Sequence, residues 1–461
     1  MPTSRSEVLE NRRVAPLLVS FSVPAIIGMV VHGLYNIVDR IFIGQSVGSL
    51  GISAVTVTFP LMLVLMAFGM LIGLGATALV SIRLGQRQKE EAELVLGNAI
   101  VLLVLINTTL MVLGLVFLGP MLELVGASKA ILPLAKDYAH IILLGAVFQG
   151  LGFGLNNVIR GEGNPRVAMV TMLIGAMMNI VLDALFIFGF GMGVRGAALA
   201  TVLSQMTTMI WVLSYFVGSR ALLRVGWSHL RPRFSMWWSI CAIGSAPFAM
   251  QLAASVIVSV FNRQLGTYGG NMAVSVFGIV HSMAMMIMMP VFGISQGAQP
   301  IIGFNYGAEK FNRVKKTLLL AIVGASIITL LGYWVAMVYP DELVRLFDEK
   351  NERLVALGSH AIGICFMMLP LIGFQIVGSN YFQAVGKPRH AMFLSLSRQV
   401  ILLLPGLLLL PRWYGLDGVW FALPFSDLGS SLLTALWLML EIRRLGIQHQ
   451  ASCKEDGSLE G

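Results

Sequence analysis

Two aspartates stand where the chain is otherwise apolar. Asp39 lies in YNIVDRIFIG (35–44) and Asp183 in NIVLDALFIF (179–188). An ionisable side chain at membrane depth costs roughly 2.5–3.5 kcal/mol on insertion scales and ordinarily faces a cavity or a partner. Asn36 precedes Asp39 by three residues and Asn179 precedes Asp183 by four. On a helix each amide therefore shares its acid's face one turn away. Thr201 offers a hydroxyl at a similar depth, and Tyr138 one slightly shallower, in two further apolar segments. Two carboxyls at one level, ringed by amides and hydroxyls, make a centre for reversible binding of a proton or another small cation.

The elements that must carry these residues are membrane helices. Hydrophobic residues make up 57% of the 461-residue chain and charged residues 11%. Soluble domains average about 25% charged. Apolar runs of about 20 residues recur from end to end, whereas membrane barrel strands would alternate over about 10. Twelve spans are expected, near 15–43, 52–82, 95–118, 134–159, 166–190, 194–217, 237–266, 272–303, 317–339, 355–384, 388–410 and 415–442. The fold class is thus all-α integral membrane. The N-terminal stretch MPTSRSEVLENRRVAP is polar, and no removable signal peptide is expected.

The net charge of +9 is a topology signal. Lys and Arg concentrate in one alternate set of loops, with Arg12, Arg83, Arg160, Arg231, Arg313, Lys387 and Arg443 among them. The positive-inside rule places that set, with both termini, in the cytoplasm. A nucleic-acid partner is not expected. Spans one and five then both run outward, and Asp39 and Asp183 lie roughly 7–10 Å below the outer surface at 1.5 Å per residue.

The chain is duplicated. Ser22-Val23-Pro24 matches Ser245-Ala246-Pro247, Gly75-Ala76 matches Gly297-Ala298, and Gly163-Asn164-Pro165 matches Gly386-Lys387-Pro388. The offset holds at 222–223 throughout. Six spans per repeat is an even number, so the repeats enter from the same side and are related by a pseudo-two-fold along the membrane normal. The expected organisation is a six-helix lobe over 1–218, a cytoplasmic linker over 219–236, a second lobe over 237–447, and a cytoplasmic tail over 448–461. Paired repeats of this kind enclose a central cleft and alternate its access. The repeat places Asn262 where Asp39 stands and Pro405 where Asp183 stands. The second half lacks both acids, so ion coupling is assigned to the first.

Other readings are weaker. Cys241, Cys365 and Cys453 are scattered without a CxxC pair, so neither a metal site nor a disulfide framework is expected. No GxxxxGK[ST] nucleotide loop occurs, and no HExxH or GxSxG lies at membrane depth, so no cofactor, catalytic residue or enzyme activity is expected. Arg398 and Asp427 are compatible with a simple inter-helix pair, and no role in a mechanism is assigned to either. Pro24 with Gly28 permits a kink in the first helix. The Met-rich run HSMAMMIMMP (281–290) offers Met285, Met286 and Met289 as an adaptable wall for lipophilic cations.

These features together resemble the multidrug and toxic compound extrusion (MATE) transporters. YNIVDRIFIG (35–44), RGEGNPR (160–166) and NIVLDALFIFGFGMGVRGAALAT (179–201) carry the resemblance, which covers essentially the whole chain and is nearest the DinF-like, MepA-like branch. It implies a multi-pass transporter of the plasma (inner) membrane, working as a monomer. Such a protein would export drugs and other organic cations in exchange for protons, or for sodium. It also implies that Tyr138, Asn156, Asn179 and Thr201 serve Asp39 and Asp183. The NorM-like branch of the family carries acids in its second half; the corresponding segments here, 246–258 and 368–380, hold none. A flippase for lipid-linked substrates is the alternative within the superfamily, but it would call for several buried bases.

Overall fold

In lipid no water is available to satisfy backbone groups, so each span must bond to itself as a helix. The computed structural model describes residues 5–47, 49–125, 129, 131–218, 221–346 and 351–457, and they are overwhelmingly helical. Ten helices are long and apolar enough to cross a membrane, and two bent pairs bring the number to twelve when each pair is one span. A short helix, Arg5–Asn11, comes first. The spans are α1 (Val14–Val47), α2 (Ser49–Gly85), α3 (Lys89–Val116) and α4, bent by 53° between Leu132–Leu144 and Ala146–Gly161. Next come α5 (Pro165–Asp183, continued by a π-helical turn, Ala184–Gly189) and α6 (Gly193–Val217). The second set is α7 (Phe234–Gly270), α8 (Met272–Gly307), α9 (Phe311–Val338) and α10, bent by 49° between Glu352–Cys365 and Leu369–Ala384. It ends with α11 (Pro388–Leu409) and α12 (Pro411–Arg443).

Local chemistry sets the breaks. The chain reverses between α7 and α8 at Gly270, where φ is 66°, a value that side chains with a Cβ rarely adopt. The Asn164 side chain caps α5 by accepting from the Val167 N–H, with Pro165 in the first turn. Asn351 caps α10 in the same way, accepting from Leu354. Helix α9 shows how the faces are divided. Val314, Leu318, Ala321 and Ala325 are buried, while Leu319, Val323, Ile327, Leu330 and Leu331 are exposed. An apolar face that wide suits lipid contact.

The described chain groups into two compact units. Unit 1 is Met1–Leu9 with Ile27–Gln251, and unit 2 is Glu10–Ile26 with Leu252–Gly461. The first turns of α1 thus belong with the second repeat, and the first turns of α7 with the first. Glycine makes both exchanges possible. A Cβ on Gly75 of α2 would fall 2.1 Å from the Ile240 carbonyl oxygen of α7. A Cβ on Gly297 of α8 would fall 2.7 Å from the Ser22 nitrogen of α1. The repeated Gly-Ala pair read from the sequence is therefore a close-approach site in both units. Helix α1 runs through Pro24 as one helix, and its division between units falls two residues later.

Candidate functional site

Helices α1 and α5 lie side by side in unit 1. At Gly28 the backbone of α1 comes so near α5 that an added Cβ would sit 2.6 Å from the Met172 sulfur. Further out, the rings of Phe42 and Phe188 meet edge to face with centroids 5.3 Å apart. Asp39 is eleven residues beyond Gly28, and Asp183 is eleven beyond Met172. Eleven residues are close to three full turns, or roughly 16 Å of rise, so both acids reach one level on the contact face. Asp39 lies near enough to Asp183 for the two carboxyls to repel each other. This packing puts the two acids at one level along the paired helices.

The surroundings are closed. Asp183 is fully buried, and neither of its carboxyl oxygens has a hydrogen-bond partner among the described residues. Asp39 is half-buried. Ile43, Tyr138, Ile142, Ile187, Val194 and Ala197 pack into one apolar cluster beside them. Tyr138 is 2% exposed and belongs to this cluster. The Asn179 amide donates to the Thr201 hydroxyl at 3.4 Å, linking α5 to α6, while its own oxygen finds no partner among the described residues. The π-helical turn begins at the residue after Asp183. Such turns are rare and recur at functional sites.

The structure does not gather every predicted residue. Asn156 is buried with an unpartnered side-chain oxygen, but it lies eighteen residues past Tyr138, beyond the bend of α4. At 1.5 Å per residue that separates it from Tyr138 by more than about 20 Å, toward the opposite end of the span. The side chains of Asn36 and Arg40 lie outside the described residues. Met285 and Met286 are on the exposed face of α8, and Met289 is half-buried. Asn262 and Arg263, the repeat equivalents of Asp39 and Arg40, are exposed.

Two features escaped the sequence reading. Gln205 follows Thr201 by one turn of α6, and its buried side-chain oxygen has no partner among the described residues. The four-residue spacing from Thr201 was the available signal. Glu162, within RGEGNPR, is fully buried and accepts hydrogen bonds from the Tyr215 hydroxyl and, at 3.1 Å, from the Leu223 N–H. That motif is an anchor for the segment leaving α6.

In unit 2, Arg398 and Asp427 form an ion pair. Arg398 Nε donates to Asp427 Oδ1 at 2.7 Å, and Asp427 is 2% exposed. Arg398 sits in the π-helical stretch Ser397–Leu403 of α11.

Fold and site thus define a multi-pass membrane protein, all-helical among the described residues and built from a duplicated six-span unit, with a buried acid, Asp183, beside a half-buried one, Asp39, in the first. The chain belongs to the MATE transporter family: the family model MatE matches it twice, over residues 24–185 and 246–408, at the spacing of the internal repeat. Among curated relatives, the multidrug export protein MepA of Staphylococcus haemolyticus is 29% identical over 434 residues, spanning 94% of this chain and 95% of the relative. MepA of Staphylococcus aureus is 27% identical over 438 residues, spanning 95% and 96%. Among solved structures, the MATE multidrug transporter DinF-BH, solved as a ligand complex, superposes with a TM-score of 0.87 at 41% identity, covering 95% of this chain and 98% of that one. A MATE in its bent conformation gives 0.91 at 26% identity, covering 98% and 100%.

Proposed function

We propose that this chain is a multidrug efflux antiporter of the plasma (inner) membrane, with both termini cytoplasmic, exporting lipophilic organic cations in exchange for protons. The observation that carries this reading is Asp183, sealed from water, without a hydrogen-bond partner among the described residues and beside a second carboxyl. A buried polar group left unmatched calls for a ligand that comes and goes. A proton is the smallest such ligand, and it removes the charge repulsion when it binds.

The cycle follows from electrostatics. With the Asp39 and Asp183 centre charged, unit 1 attracts a cation. Protonation from outside discharges the centre and releases the cation there. Access then alternates, and the proton leaves inside. Helix α1 is suited to link the two events, because its acid-bearing outer part belongs to unit 1 and its first turns belong to unit 2. Pro24 and Gly28 flank the point at which α1 passes from one unit to the other, and the proline lowers the cost of a kink there. Met285, Met286 and Met289 contribute a soft apolar surface to cargo of varied shape. The names of the MepA relatives and of the multidrug transporter DinF-BH support multidrug efflux as the outcome.

The test is reconstitution of the purified chain in vesicles with an imposed pH gradient, with and without sodium. A fluorescent organic cation should move against its gradient when protons run down theirs, in sodium-free buffer. Movement that requires sodium and ignores the pH gradient overturns proton coupling.

A further inference from the structure

The segment joining α6 to α7 is fixed to unit 1 through its backbone. The Leu223 N–H donates to Glu162 at 3.1 Å, the Arg224 N–H to Glu93 at 3.0 Å, and the Arg233 N–H to the side chain of Asn98 at 2.8 Å. Between these ties lies a 3₁₀ turn, Trp227–Leu230. The backbone is held, and the basic side chains are left over. No ion pair or hydrogen bond engages the guanidinium groups of Arg231 and Arg233 among the described residues.

A cleft of about 370 Å³ opens beside them, lined by Glu90, Glu93, Leu94, Ser228, His229, Arg231 and Arg233. The two acids differ. Glu93 is occupied by the Arg224 N–H, by Lys89 at 3.7 Å and by His229 at 4.0 Å. Glu90 is exposed and has no ion pair among the described residues. The cleft therefore presents two available guanidiniums, one available carboxylate and a serine hydroxyl.

Its position is at the membrane boundary. Glu90 and Glu93 lie in the first turns of α3, and Arg231 and Arg233 immediately precede α7. Three aromatic residues next in sequence to its lining are in the open: Trp227 is 90% exposed, Phe234 76% and Trp238 79%. Exposed Trp at the start of a span marks the level of lipid headgroups. Basic pockets at that level take lipid phosphates.

We infer that this cleft binds the headgroup of an aminophospholipid, with the phosphate on Arg231 and Arg233 and the primary ammonium on Glu90. A purely anionic headgroup would leave Glu90 facing negative charge. A choline headgroup has no N–H to donate to it. Phosphoethanolamine carries both the anion and a hydrogen-bonding cation. Its acyl chains would run beside Phe234 and Trp238. Lipid binding here bears on transport, because the occupied segment ties α6 to the start of α7.

The test uses the full chain, purified in detergent and mixed with equal amounts of phosphatidylethanolamine, phosphatidylcholine and phosphatidylglycerol. Retained lipid is counted by native mass spectrometry. The wild type should retain the ethanolamine lipid about tenfold over the other two, the worth of a hydrogen bond to a charged group. R231Q/R233Q should lose retention of all three, and E90A, which removes the acceptor, should equalise the ethanolamine and choline lipids while keeping both. Thermal melting of each variant at the wild-type temperature shows that the fold is intact. Equal retention of the three lipids by the wild type, preference for phosphatidylglycerol, or variants that retain lipid as the wild type does would each overturn the assignment.

Discussion

A carboxyl group is buried at membrane depth in each unit, and the two are kept in opposite ways. In unit 2, Asp427 is held by Arg398 at 2.7 Å, and Ser430 donates to its backbone carbonyl. In unit 1, Asp183 has its like-charged neighbour Asp39 and no hydrogen-bond partner among the described residues. A satisfied charge pair is a finished piece of structure. Under the proposed function, the unmatched acid is where the coupling proton binds. The loops repeat this contrast in milder form. After α4 the buried acid Glu162 takes the Tyr215 hydroxyl, while after α10 it is the base, Lys387, that is held by buried Glu441, with Tyr381. The two repeats share a frame, and the charge chemistry placed on it differs.

The largest effect expected from this contrast is on transport. Asp183→Asn and Asp39→Asn should each bring drug efflux from vesicles down to background while the protein still folds. Efflux at wild-type rate in both, with Asp427→Asn silent instead, would reverse the assignment of the units. Stability should show the opposite pattern. Arg398→Met leaves Asp427 buried and unpaired, and should cost about 3–5 kcal/mol, read as a lowered unfolding temperature. Adding Asp427→Leu should return most of that loss, because a buried ion pair replaced by apolar groups of similar size is often neutral.

The shared frame predicts smaller and matched effects. Gly75→Val and Gly297→Val each push a side chain into facing backbone and should destabilise by about 1–3 kcal/mol, to a similar degree in the two units. Unequal melting shifts would show that the two exchanges are not equivalent. Thr201→Ala should change least. Its bond to Asn179 is long, at 3.4 Å, and its loss should cost less than about 1 kcal/mol and leave efflux near wild type.

The proximity of Asp39 and Asp183, and the Asn179–Thr201 contact, were open to a sequence reading because position along a span is counted in residues. Asn156 joined the group only through family resemblance, and the same count of rise puts it near the other end of α4. Gln205 stood one helical turn from Thr201 and was passed over, because a lone glutamine gives no sign of which way it faces.

Hydropathy, charge placement and the 222-residue repeat are local or periodic properties, and they were enough to determine twelve spans, two repeats and the pair of unusual acids. The tertiary structure decided which charges meet. Arg398 finds Asp427 across 29 residues, and Asp183 meets Asp39 across 144. Only packing settles such encounters, since they depend on how each helix is rotated about its axis. It also decided that the starts of α1 and α7 change places, because Gly75 and Gly297 let foreign backbone come closer than any side chain would allow.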